Sequence, residues 1–192
     1  NFMSFKSSYI ISFWEIATHR NGGLDQATRS ISDNCVSEIY KKYANTGNDE
    51  DIPTFVDFYA ELTKRNDDDS KLLAREIEMY VVGSLNIFSH PTNIPLNNRI
   101  ICFNTKRLSK QLRTMGMAII QDFCWNVITR GQAEKKFTWL YNDEIHLSMK
   151  NEVLSSWLSD TWKRGRKYGV IATGMTQEAG DVLANRDGRS LV

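Results

Sequence analysis

The chain has 192 residues, 41% of them hydrophobic and 24% charged, with a formal net charge of +1. That length can bury a sizeable core, the composition is that of a globular rather than a disordered chain, and the near-neutral charge excludes a global field aimed at nucleic acid or an anionic membrane. Three cysteines, Cys35, Cys102 and Cys124, are odd in number and far apart, which excludes a short-spaced zinc knuckle or disulfide framework and leaves free thiols, while no apolar run approaches the roughly 20 residues of a membrane-spanning helix.

Residues 2–84 read as helices only. The opening stretch NFMSFKSSYIISFWE has no small-residue cleavage site, so it is not a signal peptide; it forms a helix through Tyr9, Ile10, Phe13 and Ile16. Gly22 and Gly23 stop it. Asp25 is placed to cap a second helix that runs to about Tyr43. Its apolar stripe, Ala27, Ile31, Cys35 and Ile39, repeats every four residues, with Val36 and Tyr40 widening it. After the polar loop NTGNDEDIP, Pro53 suits the first turn of a third helix with Phe55, Phe58, Tyr59 and Leu62 inward. Ser70 can cap a fourth, through Leu73, Ile77, Tyr80 and Val81, ended by Gly83. HPTNIPLNN, with Pro91 and Pro95, is an irregular connector.

The period then changes. RIICFNT, Arg99 to Thr105, reads as a strand. A long helix follows over roughly Lys106 to Thr129, with Leu108, Leu112, Met115, Ile119, Phe123 and Trp125 to Ile128 inward. Phe137 to Tyr141 is a second strand, Leu154, Trp157, Leu158 and Trp162 mark another helix, and Gly169 to Thr173 is a third strand. Thr176 can begin a last short helix to about Ala184. Strand, helix, strand, helix, strand at this spacing predicts an α/β fold with a short parallel sheet and crossover helices.

Two constellations carry chemistry. In a parallel sheet, function gathers at the carboxyl ends of the strands, and TWLYNDEIHL places Asp143 and Glu144 at such an end. An apolar strand ending in Asp-Glu is a Walker B pattern. The first acid holds Mg²⁺, usually through water, and the second orients or deprotonates the water that attacks a γ-phosphate. The same letters also describe a solvated turn after a strand. A metal site from Asp143, Glu144 and His146 is a further option, although the spacing is not that of the His-Glu-x-x-His helix and His19 and His90 have no link to it. The second constellation is WKRGRKYGVIATGMTQ. Lys163, Arg164, Arg166 and Lys167 crowd a helix end, where cations are favoured by the dipole or can reach a phosphate. Gln177 follows the strand, where an amide can bond a γ-phosphate or the attacking water, and Thr176 is either part of that loop or a plain helix cap.

TWLYNDEIHL followed by SSWLSDTWKRGRKYGVIATGMTQEAGDVL resembles the VirB-four-like ATPases of type IV secretion and conjugative transfer, closest to members from conjugative transposons. CVSEIYKKY, IPTFVDFYAEL, MYVVGSLNIFSHPTN and the Trp125 region follow the same pattern, so the resemblance runs from about Ile10 to Leu191. It implies a partial RecA-like P-loop NTPase domain over residues 86–192, with sheet order Arg99 strand, Walker B strand, Val170 strand, and a helical subdomain over residues 1–85. It implies Asp143 as the magnesium-holding acid, Glu144 as the catalytic acid, Gln177 as a nucleotide sensor, and Arg164 and Arg166 as residues of a subunit boundary. The cofactors implied are ATP and Mg²⁺. Implied partners are other type IV secretion components, further copies of the same chain, and a DNA contact, at the cytoplasmic face of the inner membrane.

The sequence departs from the family at two places. Asn142 stands where an apolar residue is expected, so its amide needs a hydrogen bond or solvent. The phosphate-cradling loop G-x-x-x-x-G-K-[ST] is missing: none of the 11 glycines begins it, and Gly-Lys does not occur. The resemblance therefore implies an internal stretch of the ATPase domain, with Val170 to Thr173 left as a sheet edge that another chain or segment would hide. Two further readings fit the same residues: a non-catalytic scaffold of the secretion machine, and a DNA translocase of the same superfamily.

Overall fold

The computed structural model describes residues 2–18, 20, 23–93, 96, 98–177, 179–184 and 186–191. Gly22, Pro95 and His19, which entered the sequence reading, lie outside them. The chain divides into two compact units, Asn1–Cys102 and Phe103–Val192.

The first unit is helical. It contains α1 (Phe2–Thr18), α2 (Gln26–Ile39), α3 (Lys41–Thr46), α4 (Phe55–Thr63) and α5 (Asp68–Val81). The Asp25 carboxylate caps α2 by accepting from the Thr28 N–H at 2.9 Å. The second helix breaks at Tyr40 rather than running on to Tyr43, and α3 then ends at Gly47 in the left-handed region, φ 66°. Thr54 opens α4, its N–H and hydroxyl both donating to Asp57 at 2.7 and 2.8 Å, with Pro53 just outside the helix. Ser70 does not cap α5. Asp67 does, accepting from the Ser70 N–H at 2.9 Å. Asp68 and Asp69 then fill the first turn, where the helix dipole favours acids, so α5 starts three residues earlier than Ser70 suggested. The faces expected to be apolar meet in one core, except that Ala27 is exposed and Thr28 is buried in its stead. Phe13 stacks on Phe55 with ring centres 4.5 Å apart, Trp14 lies 5.9 Å from Phe58, and Leu62, Leu73 and Ile77 are fully buried beside them.

The second unit contains α6 (Lys110–Ala133), β1 (Thr138–Asn142), α7 (His146–Met149), α8 (Glu152–Gly165), β2 (Val170–Gly174), α9 (Ala179–Leu183) and α10 (Arg186–Arg189). The strands pair in parallel, from Thr138 opposite Val170 to Asn142 opposite Gly174, and α8 is the crossover between them. Leu140 is buried, while Trp139 and Tyr141 on the opposite face are 60% and 62% exposed. Ile145, Met149, Leu158 and Val182 form a core against which Trp157, Trp162 and Leu191 pack.

Four further expectations need correction. Arg99 to Thr105 is not a strand, so among the described residues the sheet has two strands instead of three. Residues 101–105 do alternate between half-buried and exposed, as an extended chain does, but Ile100 is 89% exposed and no neighbour among the described residues supplies ladder hydrogen bonds. The long helix starts at Lys110, because Ser109 accepts from the Leu112 N–H and a turn closes before it with the Leu108 N–H donating to the Thr105 carbonyl. Phe137 precedes β1 and is 74% exposed. Thr176 begins no helix.

Candidate functional site at the sheet's carboxyl end

Ladder bonding continues past both strands. The Met175 N–H donates to the Asn142 carbonyl at 2.8 Å, and the Ile145 N–H donates to the Met175 carbonyl at 2.9 Å. The loop carrying Asp143 and Glu144 therefore runs beside the loop carrying Thr176 and Gln177. Gly174 permits this approach, since a Cβ there would lie 2.7 Å from the Ile145 side chain. Glu144 turns the chain with φ 50°, a left-handed conformation uncommon for a residue with a side chain and costing of order 1–3 kcal/mol.

That turn aims the carboxylate of Glu144 across the loops. Gln177 Nε2 donates to Oε1 at 2.6 Å. His146 Nδ1 stands 3.1 Å from Oε2, and Thr176 Oγ1 is 3.3 Å from the same ring nitrogen. Oε2 is buried and makes no hydrogen bond among the described residues, the His146 ring being the contact that faces it. Glu144, His146, Leu147, Gln177 and Asp181 line a cleft of about 450 Å³. The sequence reading offered His146 beside the two acids only as a metal ligand, and it did not single out Asp181. Asp181 lies four residues after Gln177, in α9.

Asp143 is exposed beside the cleft, and its Oδ1 accepts from the Glu144 N–H at 3.0 Å. A three-ligand site from Asp143, Glu144 and His146 is not formed: among the described residues no three His, Cys, Asp or Glu side chains are grouped to hold an ion. A hydrated Mg²⁺ asks for less, one carboxylate with water and phosphate oxygens completing its shell, and an exposed Asp143 fits that demand. A triphosphate cradle is not among this chain's residues. Asn142 meets neither of its two requirements at one atom, because Nδ2 is buried with no hydrogen-bond partner among the described residues.

Arg164 and Arg166 lie elsewhere. A helix that joins parallel strands runs back along the sheet, so the end of α8 arrives at the amino edge. There Gly165 abuts Val170, and the Gln132 amide donates to the Lys167 carbonyl at 3.0 Å. Five strand residues, about 16 Å, separate this basic edge from Glu144. Both arginines are exposed, and the structure does not bring them to the carboxylate of the same chain.

The fold and this cluster define an α/β unit that presents an acid, an amide and an imidazole where a parallel sheet delivers its carboxyl ends. The chain shares the fold of VirB4 of Thermoanaerobacter pseudethanolicus, with a TM-score of 0.83, 19% identity, and coverage of 98% of this chain and 54% of that one. It thus spans about half the length of that protein. The resemblance carried by the sequence motifs is matched at the level of the fold. No protein-family model and no curated protein matches the chain.

Proposed function

We propose that this chain is part of a RecA-like ATPase that energises conjugative transfer or type IV secretion, hydrolysing ATP to ADP and phosphate in the intact protein. The observation that carries the reading is the Glu144 carboxylate at the end of β1, held by Gln177 from the neighbouring strand's loop. The VirB4-like fold supports it. Glu144 would orient and deprotonate the attacking water, and Gln177 would report the γ-phosphate state to β2. Asp143 would hold Mg²⁺ through water. The ion, when bound, neutralises charge on the transferring phosphoryl group.

Arg164 and Arg166, displaced to the amino edge, would act on a neighbouring copy in a homo-oligomer, with residues 1–85 as the helical subdomain and 86–192 as the nucleotide-facing part. No helix among the described residues is long and apolar enough to cross a membrane. The proposal places the protein in the cytoplasm at the inner membrane face, held by other secretion components. The orphaned Asn142 amide favours a second reading, a non-catalytic scaffold in which the acids are inherited shape. The exposed Arg164 and Arg166 suit a third, a translocase with DNA at the basic edge, whose binding would weaken with salt and with loss of both arginines.

Glu144→Gln separates motor from scaffold. In the intact natural protein, the motor reading expects ATP turnover and substrate transfer both to collapse. Transfer that persists at wild-type frequency would establish the scaffold.

A further inference from the structure

We infer that His146 is a positioning residue for Glu144, an inference that deepens the ATPase reading and rests on it for its catalytic meaning. A carboxylate and a hydroxyl face the same ring nitrogen: Glu144 Oε2 at 3.1 Å and Thr176 Oγ1 at 3.3 Å from Nδ1. A carboxylate only accepts hydrogen bonds, so the contact is attractive only when Nδ1 carries the hydrogen. With the hydrogen on Nδ1, a small turn of the ring lets it donate to Oε2, which makes no aligned hydrogen bond among the described residues as it stands, while Gln177 donates to Oε1 at 2.6 Å. Each oxygen of one carboxylate is then gripped by a different loop.

The need for such a grip follows from the backbone. Glu144 sits at φ 50° and its side chain is 31% exposed, so neither the chain's preference nor close packing holds it. Oε2 is a buried acceptor with no aligned hydrogen bond among the described residues, and the His146 ring is the contact that faces it. Without the ring, the side chain would swing toward solvent and away from the cleft. His146 is itself steadied, its side chain 19% exposed and its nitrogen within reach of Thr176 from the β2 loop. The imidazole touches neither water nor phosphate in this scheme. It acts through Glu144.

The test uses the intact natural protein in two arms. In the first, His146→Ala lowers kcat for ATP roughly 10–100-fold, the usual effect of removing a partner that orients a reactive group, with KM changed less than about threefold. His146→Asn, whose amide can donate from nearly the same place, recovers most of the loss. In the second, ¹⁵N spectra of histidine-labelled protein find the hydrogen on Nδ1 of His146 in the wild type and moved to Nε2 in Glu144→Ala. A wild-type His146 with no hydrogen on Nδ1 overturns the inference, as does an unchanged kcat in His146→Ala alongside an inactive Glu144→Gln. If Glu144→Gln itself retains full hydrolysis, the ATPase reading fails instead, and the spectral arm alone decides whether the grip exists.

Discussion

The two units solve the burial problem differently. The helical unit closes its aromatic core on itself, with Trp14 and Phe58 at 0% exposure. The strand-bearing unit leaves Trp139 and Tyr141 on an open sheet face, although parallel sheets are ordinarily covered on both sides. The contrast teaches that amphipathic helices carry their own instructions, each apolar stripe finding a neighbour within a few dozen residues. Strands that are apolar on both faces ask for more partners than this stretch of chain gives them. The second unit is also where the candidate site lies, at the carboxyl ends of the two strands.

That contrast can be broken by paired substitutions. Phe58→Ala should cost about 3–5 kcal/mol, through lost burial and the cavity left between Trp14 and Leu62. Trp139→Ala should change stability by less than about 0.5 kcal/mol, as exposed positions do. Urea unfolding followed by helical circular dichroism measures both. Equal losses would mean that the sheet face is covered in solution.

A smaller effect sharpens the comparison on the acid side. The N–H and then the hydroxyl of Thr28 hold the Asp25 carboxyl below its ordinary value of 3.8. A carboxyl lowered in the folded state stabilises above that value and loses the contribution as pH falls through its folded pKa. Thermal melts of the wild type should therefore weaken as pH drops below about 4. Asp25→Asn keeps a good helix cap and removes the charge, so its melting should vary less over the same range. Identical profiles would assign the acid sensitivity to other carboxylates.

Legibility in the sequence followed the same division. Most of the stripes of α1, α2, α4 and α5, the Asp25 cap and the Thr138 to Tyr141 part of β1 could be read locally, because helix period and strand alternation are properties of neighbouring residues. Arg99 to Thr105 misled, since its composition suits a strand but a strand exists only with a partner, and pairing is not local. His146 with Thr176 and Glu144 with Gln177 are 30 and 33 residues apart, so their contacts depend on strand register that no short window contains. The distance of Arg164 and Arg166 from the acids was legible in principle: a crossover helix must end where the next strand begins.

The most direct measurement is steady-state ATP hydrolysis by the intact natural protein with Mg²⁺, wild type against Glu144→Gln. Removal of a general base predicts a fall in kcat of about 10²–10⁴-fold, with the variant still folded. Equal turnover in the two proteins, or none in either, would contradict a catalytic role for the carboxylate at the end of β1.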